Sequence, residues 1–235
     1  DFAISIETEI VSEGDKTRAN PHSLRSLAIE MPKLRRRLEV YPKEFLTVAK
    51  PKTIYLMQNW QNLYKGEWLK AGGFSFSGNA IGIKDVDYAI DHELMHTAEF
   101  KMGGLSTNND EWARTAHGAD YAEKKIYGNF GQDALASKER TSDRPNGFVT
   151  SYAKDGGIDE DQADTANWLL GGVRSYDRVM SWAAQEAPLA AKVEMTKQFY
   201  RRVSNGLMDE QFWSDFSSGK TINAQYWEGR RSKRG

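Results

Sequence analysis

The chain has 235 residues, 39% hydrophobic and 11% aromatic, with no cysteine and a formal net charge of -1. That is enough apolar material for one substantial core, so a single domain over 1–235 is expected. Near-neutral charge removes the global electrostatic case for nucleic acid. No apolar run nears the ~18 residues of a membrane span, and the absence of cysteine excludes disulfides and thiolate ligands without fixing a compartment. A chain that opens on Asp1 rather than Met is expected to reflect processing or trimming.

Phe2 to Ile10 alternates apolar and polar residues, as a strand or loose arm would. Ser23 to Val40 carries Leu24, Leu27, Ile29, Met31, Leu34 and Leu38 at roughly helical spacing, with a break expected at Pro32. Arg35-Arg36-Arg37 reads as a solvated helix face, and Pro42 closes the segment. Thr53 to Met57 is a short apolar strand. Gly72 to Ser77 alternates, Gly78-Asn79 turns, and Ala80 to Ile83 makes a second strand. Val86 to Met102 is helical, with Val86, Ile90, Leu94 and Ala98 as its buried stripe. Asp85 or Asp87 is its expected N-cap, and Gly103-Gly104 its stop.

From Ser106 to Gly147 the chain is polar, with Trp112, Tyr121, Tyr127 and Phe130 among loops and a short helix. Helices are then expected at Asp161 to Leu170, at Ser175 to Ala187 (ended by Pro188) and at Leu189 to Val203 (ended by Gly206). Phe212, Trp213, Phe216 and Trp227 read as core packing. Arg230 to Arg234 reads as a frayed basic end.

The stretch that carries chemistry is His92-Glu93-Leu94-Met95-His96. It is an H-E-x-x-H motif in the middle of the Val86 to Met102 helix. Residues four apart lie one above the other on a helix face, so both imidazoles can reach one metal ion. Glu93 stands beside them to take a proton from water, the arrangement of zinc hydrolases. Helix, strand, paired strands and then this helix is also the element order of the upper lobe of zincin metalloproteases. There an edge strand can pair with an extended substrate, and Phe74, Ser75 and Phe76 are the expected edge.

A catalytic zinc needs a third protein ligand. The metzincin extension requires Gly and His where this chain has Glu99 and Met102. Asp110 would be an aspartate solution but lacks supporting residues, and His117 has no helical partner. Glu111, Glu123 and Glu160 remain. Glu160 opens a helix with Asp164 one turn on, and a carboxylate there can orient a ligand imidazole through its other ring nitrogen. Tyr152 lies shortly before it, where a hydroxyl could stabilise an oxyanion. Glu160 is therefore preferred, with Asp161, Asp164 and Glu123 as alternatives.

Asp110-Glu111-Trp112-Ala113, then Arg144-Pro145-Asn146-Gly147-Phe148-Val149-Thr150-Ser151-Tyr152-Ala153, then Glu160-Asp161-Gln162-Ala163-Asp164 resemble motifs of bacterial and fungal zinc-binding metallopeptidases. Those carry R-P-x-G-F-V-S-x-Y-A followed by E-D-x-A-E. The layout is similar to the catalytic domain of anthrax lethal factor, a gluzincin. The resemblance is concentrated between Gly72 and Leu170. It implies His92, His96 and Glu160 as zinc ligands, Glu93 as general base, Tyr152 as oxyanion donor and Asp164 behind the ligands.

Asp164 is one methylene shorter than the usual Glu, and the Tyr152 to Glu160 interval is one residue longer than usual. A loop at Gly156-Gly157 can absorb that residue.

The expected fold is α+β and zincin-like. It has a small mixed sheet and the H-E-x-x-H helix in an upper part over about 1–104, and a largely helical lower part over about 105–235. The expected activity is a zinc endopeptidase acting on protein or peptide, exported or delivered to a cytosol as an effector. A non-peptide zinc hydrolase and a zinc-binding module without turnover are the alternatives. An intact Glu93 argues against the last.

Overall fold

The computed structural model describes residues 5–7, 17–76, 80–102, 109–118 and 144–234. It is a mixed α+β structure built on a six-stranded sheet, with the later part of the described chain helical. The sheet comprises β1 (Ser5–Glu7), β2 (Thr17–Pro21), β3 (Thr53–Tyr64), β4 (Glu67–Lys70), β5 (Gly73–Phe76) and β6 (Ala80–Ile83). β3 is its spine. The first part of β3 pairs in parallel with β1 and β6 (Thr53 opposite Ser5 and Ala80), and the rest pairs antiparallel with β2 and β4. β5 pairs antiparallel with β6, Phe74 opposite Gly82, and ends the order β1-β3-β6-β5, so among the described residues it is an edge strand.

The strand expected over Thr53 to Met57 is thus longer than its apolar run. Its extension is held by the β3–β4 hairpin, whose two turn residues, Lys65 and Gly66, have φ of 49° and 82°. Positive φ at both central positions is the tight turn that matches strand twist, and Gly66 adopts it without steric cost.

α1 (Leu24–Glu39) runs through Pro32 without the expected break. Pro32 and Ala28 are both exposed, so the Ala28 carbonyl that loses its helical partner faces water. Ser23 caps this helix, its side chain accepting from the Ser26 N–H. Pro42 does not merely end a segment. It precedes α2 (Lys43–Ala49), a helix absent from the sequence reading, which buries Phe45 and Ala49.

α3 (Val86–Met102) has the expected bounds. Asp85 caps it by accepting from the Asp87 N–H at 3.0 Å. Val86, Ile90, Leu94 and Ala98 are all buried. α4 (Asn109–His117) follows, then α5 (Ser151–Gly156), α6 (Ile158–Leu170), α7 (Val173–Ala183), α8 (Ala187–Val203), α9 (Glu210–Ser217) and α10 (Ala224–Ser232). Pro188 does not end α7. It stands in the first turn of α8, where its missing N–H would be unsatisfied anyway.

The basic end is not frayed. Arg231 pairs with Glu44 at 2.9 Å, and Arg230 and Arg234 both pair with Asp209. Phe212, Trp213, Phe216 and Trp227 are core residues, and the Phe212 and Trp227 rings stack at 5.4 Å. One continuous core joins the sheet (Ile54, Leu56, Ile81, Ile83), α3 and these aromatics. The Gly78-Asn79 turn, Gly103-Gly104, and the Tyr121, Tyr127 and Phe130 positions lie outside the described residues.

Candidate metal centre

α3 is packed on several sides, by α1, α2, β5, β6 and α6. Burial therefore extends beyond its apolar stripe to Asp91, Glu93, Thr97 and Glu99. Asp91 is fixed by Arg37, which forms an ion pair with it, and by the Tyr41 hydroxyl, which donates to it at 2.7 Å. Arg37 also donates to the Leu170 carbonyl at 2.7 Å. Arg37 is thus a clamp joining α1, α3 and α6, not part of a solvated face, while Arg35 on the same helix is exposed as expected.

The α3–α6 contact brings the ligand candidates together. His92, His96 and Glu160 each present one ligand atom within 4.8 Å of the others. His92 Nε2 lies 3.1 Å from His96 Nε2 and 3.0 Å from Glu160 Oε2, and His96 Nε2 lies 3.5 Å from the same oxygen. Two imidazole nitrogens and a carboxylate oxygen are a zinc donor set. Donors ~2.0–2.1 Å from a tetrahedral zinc stand about 3.3 Å apart, which matches this triangle. The residues present therefore fit the ion.

The alternative third ligands point elsewhere. Asp161 is fully buried, accepting from Trp112 Nε1 at 2.9 Å and pairing with Lys192 Nζ at 2.7 Å. Glu111 is exposed on α4. Glu123 and the side chains of Asp110 and His117 lie outside the described residues. Gly157, with φ 94° between α5 and α6, makes the corner that lets α6 begin at once and carry Glu160 to the histidines. Its left-handed φ suits only glycine.

Asp164 sits behind the ligands. Its Oδ1 is 3.1 Å from His92 Nδ1, and its Oδ2 accepts from the Thr150 hydroxyl. That contact assigns the His92 proton to Nδ1 and leaves Nε2 as the ligand atom. The Thr150 oxygen also caps α5 by accepting from the Ala153 N–H at 2.9 Å. Tyr152, on that helix, has its ring 6.3 Å from the His92 ring and its hydroxyl in hydrogen bond with Glu160.

Glu93 lies against the edge strand. A Cβ at Gly73 would fall 2.5 Å from Glu93 Oε1, so only glycine leaves room for that carboxylate. Ser75 reaches Thr97 at 3.5 Å, while Phe74 is half-buried and the Phe76 side chain is outside the described residues.

The electrostatics follow from burial and these neighbours. Burial pushes Glu93 up to about 7, against the pull of His92 and His96. Burial also opposes ionisation of Glu160, but the two histidines outweigh it and hold that carboxyl well below its usual range. Burial works against a charged His92, yet hydrogen bonds to Asp164 and Glu160 keep its pKa well above the ordinary value. Burial and then the Glu160 charge raise Tyr152, so it is a neutral donor.

Three participants were missed in the sequence. Glu99 is buried with an oxygen 4.0 Å from His96 Nδ1, and its signal was present as a carboxylate one turn beyond a ligand histidine. Thr150 is readable as a helix cap but not as a partner of Asp164. Lys192 gives no local signal. It lies on α8 and is buried against Asp161, the Gly147 carbonyl (2.6 Å) and the Phe148 ring (3.6 Å to the centroid). No protein-family model, curated protein or solved structure matches the chain.

Proposed function

We propose that the chain is a zinc-dependent endopeptidase of the gluzincin kind, with a zincin-like fold. The observation that carries this reading is the convergence of His92, His96 and Glu160 beside a buried Glu93 that touches the edge strand. His92, His96 and Glu160 would hold the zinc. When bound, zinc supplies a Lewis acid that makes water a nucleophile near neutral pH and polarises a carbonyl.

The chain's own residues supply the rest. Asp164 holds His92 in the tautomer a ligand needs. The outer edge of β5, which ends the sheet among the described residues, would offer backbone groups to an extended peptide and set its carbonyl beside α3. Glu93, poised near 7 by burial, takes the proton of the attacking water and returns it to the leaving amine. The neutral Tyr152 hydroxyl donates to the oxygen that gains charge in the transition state.

A bare binding module needs no buried base, and Glu93 is costly to bury without partners. The test is cleavage of an unstructured protein by zinc-loaded wild type, Glu93→Gln and Tyr152→Phe. Glu93→Gln should keep its zinc and lose at least ~100-fold in kcat. Tyr152→Phe should lower kcat with little change in KM. Full turnover in Glu93→Gln would remove the base and with it this mechanism.

A further inference from the structure

Behind α3, away from His92, His96 and Glu160, lies a cavity. Its volume is about 470 Å³. Its walls come from α1, α2, the start of β3, α3 and α10. Buried Leu34, Ile54, Leu94 and Trp227 line it, so its interior is apolar. Leu94 stands between the two ligand histidines in sequence, which puts the cavity against the metal-bearing helix. A space of this size is within the ~300–1,000 Å³ range of small-molecule sites. At the ~30 Å³ that a water molecule occupies, it holds about 15 heavy atoms.

The rim is cationic. Arg35 and Arg231 line the cavity but are already paired, with Glu39 and Glu44. Lys43 and Lys50 also line it, are exposed, and form no ion pair among the described residues. Glu228 is the remaining acid on the rim. A further lysine crowds the same place. Lys101 donates to the Lys50 carbonyl at 2.6 Å, and burial together with the charges of Lys52 and Lys50 holds it below the usual lysine range. An apolar chamber whose entrance carries basic side chains in excess of its acids is complementary to a molecule with an apolar body and an anionic end.

We infer that this cavity binds one single-chain fatty carboxylate, its chain among Leu34, Ile54, Leu94 and Trp227 and its carboxylate at Lys43 and Lys50. The volume admits one acyl chain of about a dozen carbons. Burying such a chain removes apolar surface of both ligand and wall from water, and the lysines give the carboxylate a charge-assisted partner.

The test is calorimetric titration of the purified protein with monomeric dodecanoate, and with dodecanol as the uncharged probe. Wild type should take up one dodecanoate per chain. Leu46→Trp, which fills the cavity from α2, should weaken this at least about tenfold. Ala224→Trp fills it from α10 and serves if the first variant does not fold. Lys43→Glu with Lys50→Glu should weaken dodecanoate at least about fivefold and leave dodecanol unchanged. Absence of saturable dodecanoate binding, or wild-type binding by a folded cavity-filling variant, would overturn the inference. Equal loss of both probes in the charge variant would overturn the placement of the head group.

Discussion

Each imidazole of the candidate site has a carboxylate facing its other nitrogen, but at different range. Asp164 is 3.1 Å from His92 Nδ1, whereas Glu99 is 4.0 Å from His96 Nδ1, beyond hydrogen-bond distance. Glu99 is also buried, and burial raises its pKa well above the ordinary value, which disfavours its charged form. Asp164→Ala should therefore weaken zinc binding by ~10–100-fold, the usual effect of losing such a partner, and Glu99→Gln should weaken it much less. Competition with a chelator checks this. Equal losses would mean that Glu99 orients its histidine as strongly as Asp164 does. The shortened Asp164 thus reaches its histidine, and the Thr150 hydroxyl steadies it from the other side.

At the scale of elements, the site is a meeting of α3, α6 and β5. α3 contributes both histidines because four-residue spacing stacks them on one face, and Glu93, the proposed base, from the adjoining position turned toward β5. α6 contributes Glu160 because the Gly157 corner starts it against α3. β5 contributes a glycine, and the closeness of Gly73 to Glu93 makes a specific prediction. Gly73→Ala forces the Glu93 carboxylate aside, since the added Cβ would lie 2.5 Å from Oε1 and 2.8 Å from Cγ. Turnover should fall at least ~10-fold while zinc content stays at the wild-type level. Retained turnover in this variant would show that the base does not depend on this strand.

The same elements show what could be read in advance. The bounds of α3 were legible because an apolar stripe, a capping aspartate and a motif coincide there. The β5–β6 pair was legible from strict alternation. The run of α1 through Pro32 was not, because whether a proline breaks a helix depends on which carbonyl it orphans and whether that carbonyl meets water. α2 was too short to show a period. The roles of Arg37 and Lys192 were illegible because burial of a cation is decided by partners far away in sequence, Asp91 and Asp161. Glu160 was within reach of local reasoning, and the Trp112 and Lys192 contacts that hold Asp161 elsewhere set that alternative aside.

At the scale of the whole molecule, buried and half-buried ion pairs join segments far apart in sequence. Glu186 takes Arg144 and the Gly147 N–H, so it ties the start of α8 to the chain leading into α5. Its hydrogen bonds from Arg144 hold its pKa below the usual carboxylate value. A lowered folded-state pKa contributes stability above the unfolded value near 4.5, and loses it as pH falls through the folded one. Glu44, lowered by Arg231, has the same sign. The difference in melting temperature between wild type and Glu186→Gln should therefore be present at pH 7 and shrink progressively as the pH falls below the unfolded value near 4.5. A difference that persists unchanged into acid would mean that the contact works through packing rather than charge.

The central claim is that α3 and α6 together make one zinc site, and elemental analysis of the purified protein tests it most directly. Wild type and Glu160→Ala are loaded with zinc, dialysed and measured side by side, with circular dichroism to show that both are folded. The account predicts about one zinc per wild-type chain and a marked loss in the variant. No zinc in wild type after loading, or full zinc in folded Glu160→Ala, would contradict it.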